Sequence, residues 1–129
     1  MNKTEFLNTL RAERKRFDDR LAGLSEEQLA RRASPEAWSI KDNLAHLTNC
    51  EQYMLNNIRR ALERGEAPRW MNDEEETRSN AQIWTDNRDR PLAEVLADMR
   101  RSLSDVINLV ESFSEADLTD PNRFDWLKG

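Results

Sequence analysis

The chain has 129 residues, 35% of them charged and 37% hydrophobic, and its formal net charge of −5 is spread over interleaved acids and bases, which leaves no basic face for nucleic acid. Three glycines and four prolines are too few for the turns of an all-β fold, so the composition is that of amphipathic helices in one domain covering residues 1–129. No apolar run reaches the roughly 20 residues of a membrane span, Met1-Asn2-Lys3-Thr4-Glu5 lacks the apolar core of a secretion signal, and the single cysteine, Cys50, excludes an internal disulfide; the cytoplasm is the expected compartment.

Phe6, Leu7, Leu10, Phe17, Leu21 and Leu24 recur at three- and four-residue intervals, which predicts a first helix over residues 4–22, ended by Gly23. Ser25-Glu26-Glu27-Gln28 is a capping-box pattern for a short piece running to about residue 32, and Ser34-Pro35 then breaks the path. Next comes Trp38-Ser39-Ile40-Lys41-Asp42. Ser39 is a good N-cap, Asp42 can reach back to it, and Trp38 precedes the cap where an apolar residue staples the entering chain. Ile40, Leu44, Leu47, Met54, Leu55, Ile58 and Leu62 form the apolar stripe of a long helix over 40–64, stopped by Gly65 and Pro68. Asn72 or Asp73 caps a further stretch holding Thr77, Ala81 and Trp84, whose Asp73-Glu74-Glu75-Glu76 start reads as a solvated first turn. Pro91 is suited to the first position of the next helix, where Leu92, Val95, Leu96, Met99, Leu103, Val106, Ile107, Val110 and Phe113 repeat with near-heptad regularity. Ser114-Glu115-Ala116-Asp117 caps one short turn, and Asp120-Pro121-Asn122 returns the chain to a loop. Three long antiparallel helices and a shorter one make an all-α up-down bundle.

The polar residues that such a bundle turns inward are the candidates for chemistry. His46, Cys50, Tyr53 and Asn57 follow i, i+4, i+7 and i+11 and form one seam beside the apolar stripe. Glu51 and Glu13 fall within apolar spacing and are expected to face the interior or its mouth. His46 and Cys50, one turn apart, can touch one metal ion with Glu51 or Glu13 as oxygen ligand; equally, a lone histidine serves as a hydrogen-bonded structural residue. Cys50 is either a nucleophile activated by His46, although no third orienting group is evident, or a small buried filler. Trp38, Trp70, Trp84 and Trp126 lie near helix ends, where they form an aromatic rim for a planar ligand or seal the core.

The segment Trp38-Ser39-Ile40-Lys41-Asp42-Asn43-Leu44-Ala45-His46-Leu47, followed by Thr48-Asn49-Cys50-Glu51, resembles the entry to the second helix of DinB-like four-helix bundles, with its W-S-x-x-(D/E)-x-x-x-H-L pattern. The Gly-Leu-Ser-Glu-Glu-Gln-Leu turn at 23–29 fits the same family, and the far end, with Leu118, Pro121, Phe124 and Trp126, looks most like the ClbS/DfsB branch. Metal-binding members of the family hold a divalent ion with three histidines; His46 matches the first, and no residue here matches the other two. The resemblance therefore implies a Zn or Ni site only if ligands lie beyond Gly129, and a fourth long helix that is missing or truncated in these residues. It also implies activity as a hydrolase or thiol transferase acting protectively on a reactive small molecule. In that case His46, Glu51 and Tyr53 are the catalytic candidates, Trp38, Cys50 and Trp84 bind the substrate, and His46 is the metal ligand. The alternative is a non-catalytic bundle that binds a small molecule or dimerises and has lost the family metal site. A homodimer is expected in either case.

Overall fold

In the computed structural model, which describes residues 2–127, the helices are α1 (Lys3–Ala22), α2 (Glu26–Ala30), α3 (Ile40–Arg64), α4 (Asp73–Asn87), α5 (Leu92–Ser112) and α6 (Glu115–Thr119), with a 3-10 turn at Asp125–Leu127. The protein is all-α, as composition and periodicity predict. Helix starts are set by local chemistry. Asn2, Ser25, Ser39 and Ser114 each build a capping box, with Glu5, Gln28, Asp42 and Asp117 as reciprocal partners. Asn72 caps α4 by accepting the N–H of Glu75. Pro91 stands one residue before the predicted position, as the N-cap of α5, where its fixed φ of −58° suits the entry and its missing N–H costs nothing. Gly65 ends α3 in the left-handed region at φ 68°, donating its N–H to the Ala61 carbonyl.

Cross-chain hydrogen bonds fix the topology. Lys3 Nζ at the start of α1 donates to the carbonyl oxygens of Glu111 (3.1 Å) and Phe113 (3.0 Å) at the end of α5, so α1 and α5 run antiparallel. Lys41 Nζ near the start of α3 donates to the Arg88 (3.0 Å) and Arg90 (2.7 Å) carbonyls just before α5, and Gln52 Nε2 further along α3 donates to Asp105 further along α5 (3.1 Å). Helices α3 and α5 therefore run parallel, and α4 is the antiparallel return between them. With α1 antiparallel to both, the four longer helices alternate up, down, up, down in chain order, as predicted.

The core lies between α1, α3 and α5, where Leu44, Ala45, Val95 and Met99 are buried and Phe17, Leu21 and Leu96 pack against them. The expected stripe of α3 is only half enclosed. Leu44 and Leu55 are buried, but Leu47 is 55% and Met54 40% exposed, because α1 leans chiefly on α5 and leaves that flank of α3 open. Phe6 is likewise exposed on α1. At the opposite end, Asp42, 1% exposed, takes a two-pronged ion pair from Arg32 (2.8 and 2.9 Å) as well as the Ser39 N–H (2.8 Å). Burial alone would raise the Asp42 carboxyl, but the hydrogen bonds from Arg32 and Ser39 outweigh it and hold its pKa below the ordinary 3.8. Arg32 also donates to the Arg88 carbonyl (3.1 Å), so one cluster joins the α2–α3 link, the start of α3 and the α4–α5 loop.

Candidate functional site

The predicted seam of α3 faces α4 and the 65–72 connection. A cleft of about 480 Å³ opens there, with Asn49, Cys50, Tyr53 and Asn56 from α3, Trp70 and Met71 from the connection, and Glu76, Asn80 and Ile83 from α4. Trp70 is the largest exposed element of its wall, at 57% exposure. Its position follows from both ends of the preceding peptide. Buried Asn57 accepts the Arg69 N–H through Oδ1 (3.2 Å), and the Tyr53 hydroxyl donates to the Arg69 carbonyl (2.8 Å). The Tyr53 and Trp70 rings then meet edge-on, with centroids 6.2 Å apart.

His46 stands beside this cleft, packed edge-on against Trp38 at 5.3 Å. Its Nε2 lies 2.7 Å from Asn80 Oδ1, an acceptor, so the ring proton sits on Nε2 and is committed to Asn80. Cys50 Sγ is 3.5 Å from that same nitrogen and 4.0 Å from Nδ1, the ring atom left to accept a proton. Partial desolvation of the sulfur, followed by the negative charge of Glu76, raises the Cys50 pKa. Both causes disfavour the thiolate, the opposite of what nucleophilic activation requires. Cys50 is also exposed, so it is not a buried filler.

Glu51 does not join His46 and Tyr53. It projects to the other flank of α3, where Oε2 pairs with Arg14 (2.9 Å) and Oε1 accepts the Ser102 hydroxyl (2.6 Å). Glu13, expected inside, is exposed and pairs with Arg16 (3.3 Å); the inward place between Leu10 and Phe17 belongs to Arg14, on the heptad Leu7, Arg14, Leu21. Trp84 lies outside the cleft, beneath the Arg88 guanidinium 4.2 Å from its ring centre, with its indole N–H buried and without a hydrogen-bond partner. Trp38 touches His46 but not the cleft, and Trp126 stacks on Phe124 at 5.3 Å.

The geometry thus assembles Cys50, Tyr53, the rim tryptophan Trp70 and, through Asn80, His46, while Met71, Glu76 and Asn80 complete a wall that sequence reasoning did not assign. The signal for α4 was present: Glu76, Asn80 and Ile83 follow i, i+4 and i+7 and share one face.

The three-histidine site implied by the resemblance does not fit these residues. Among the described residues no three His, Cys, Asp or Glu side chains stand close enough to hold one metal ion. The imidazole Nε2 is engaged by Asn80.

A second cleft of about 480 Å³ lies on the α5 side of α3, lined by Arg90, Asp98, Arg101 and Asp105. Within it Asp98 is held by both Arg90 and Arg101. No helix of the described residues is long and apolar enough to cross a membrane. A family model described as the DinB superfamily matches residues 9–128. No curated protein and no solved structure matches the chain.

Proposed function

The chain belongs to the DinB superfamily, and from that premise we propose that it binds a small molecule in the cleft between α3 and α4. The observation that carries this reading is Trp70, held over the cleft by hydrogen bonds to both sides of the Arg69 peptide. An indole held more than half exposed at the wall of a concave cleft offers an apolar face that a planar ligand can cover. The likeness of Pro121, Phe124 and Trp126 to the ClbS/DfsB branch supports a reactive small molecule as the ligand and cytoplasmic protection as the role. The engagement of His46 Nε2 by Asn80 and the raised pKa of Cys50 favour sequestration over hydrolysis or thiol transfer. Pairing of two copies through the open flank at Leu47 and Met54 belongs to the same reading.

Ligand-observed NMR with a library of planar fragments tests it. Fragments that bind the wild-type protein are expected to lose their signal with Trp70→Leu and to keep it with Leu47→Ser, which alters an exposed residue outside the cleft. A library in which no fragment distinguishes the wild type from Trp70→Leu would overturn the assignment of this cleft.

A further inference from the structure

The walls of the α3–α4 cleft are electrostatically one-sided. Glu76 is the one side chain lining it that is charged at neutral pH, and among the described residues it makes no ion pair. Its field reaches the α3 wall, where, after desolvation, it is the second cause of the raised Cys50 pKa. Tyr53 and Trp70 add two aromatic rings at 60° to each other, whose faces carry the negative part of the ring quadrupole.

The amides of the wall offer both acceptors and donors. Asn49 donates its Nδ2 to the Ala45 carbonyl (2.8 Å), and Gln52 donates its Nε2 to Ser102 Oγ (2.9 Å) and Asp105 (3.1 Å). Their carbonyl oxygens can accept from a ligand, whereas Asn80, whose Oδ1 is taken by His46, presents its amide N–H groups. An anion entering the cleft would face the Glu76 carboxylate with no Lys or Arg to neutralise it. A hard metal ion would find one carboxylate where it needs about six oxygens. A planar organic cation matches all three features: ring faces for its body, acceptors for its N–H groups and Glu76 for its charge.

We propose that the cleft selects planar organic cations, such as aryl amidinium or arylmethylammonium groups, with Glu76 as the charge partner and Tyr53 and Trp70 as the aromatic walls. This rests on the reading of the cleft as a ligand site. Benzamidinium, benzamide and benzoate have nearly the same shape and carry charges of about +1, 0 and −1 at neutral pH, so titration calorimetry with the three separates charge from fit. Benzamidinium is expected to bind tightest and benzoate weakest. Glu76→Gln should weaken benzamidinium about fivefold and leave benzamide unchanged, the scale of one partly solvated ion pair. Trp70→Leu should weaken both. Benzamide binding as tightly as benzamidinium, or a Glu76→Gln variant with no effect on the cation, would overturn the cation preference and leave the cleft standing. Equal behaviour of wild type and Trp70→Leu towards all three probes would remove the cleft itself as the site.

Discussion

At the scale of single residues, the most constrained group is Asp42, which answers to helix capping and to electrostatics at once. Its carboxylate completes the capping box of α3 and receives Arg32, and both interactions need the ionised form. Because its folded pKa lies below the ordinary 3.8, the stability it contributes is complete above that value and is lost as pH falls through the folded pKa. Arg32→Ala should therefore destabilise the protein by about 2 kcal/mol at pH 7, the scale of a hydrogen-bonded charge left without its partner. Chemical denaturation at pH 7 and near pH 3 measures this, and the difference between variant and wild type should shrink at the lower pH. An undiminished difference at pH 3 would mean that Arg32 acts through packing or the Arg88 carbonyl instead.

Among the elements, the 65–72 connection is the one whose conformation the proposed site depends on. Asn57 is buried within α3 and ties the Arg69 N–H from below, while Tyr53 ties the carbonyl from beside it. Asn57→Ala should release one of these anchors, cost about 1–2 kcal/mol and weaken fragment binding without touching the cleft surface. Thermal melting read beside the NMR screen checks it; a stable variant with unchanged binding would show that the connection is held by other means. Helix starts were legible in the sequence because a cap is a local contract: Ser39 and Asp42 are three residues apart and find each other in any fold. The same holds for the seam from His46 to Asn57, whose spacing alone places it on one face. Which neighbour that face meets is a tertiary matter. Spacing allowed Glu51 to stand with His46, and the packing of α1 and α5 drew it to Arg14 and Ser102 instead. Leu47 and Met54 fell on the predicted stripe yet stayed open for the same reason.

For the whole molecule, that open flank is where the proposed pairing of two copies would form. Leu47 and Met54 lie two turns apart on α3, and Phe6 is exposed on α1, so the surface keeps apolar area that a second copy would cover. Sedimentation velocity is expected to find a dimer, and Leu47→Lys combined with Met54→Lys should give a monomer that still binds fragments in the cleft. A wild-type protein sedimenting as a monomer would end the dimer proposal without affecting the ligand site, which faces α4.

Lys3 links the first long helix to the last. The final carbonyls of an α-helix have no partner within it, and two near the end of α5 are met by an ammonium group about a hundred residues upstream. The end of α5 is therefore closed only when α1 has docked. Fraying of α1 hands both carbonyls back to water, so the start of α1 and the last turn of α5 are expected to loosen together, which hydrogen exchange on Lys3→Ala would read as faster exchange at the end of α5.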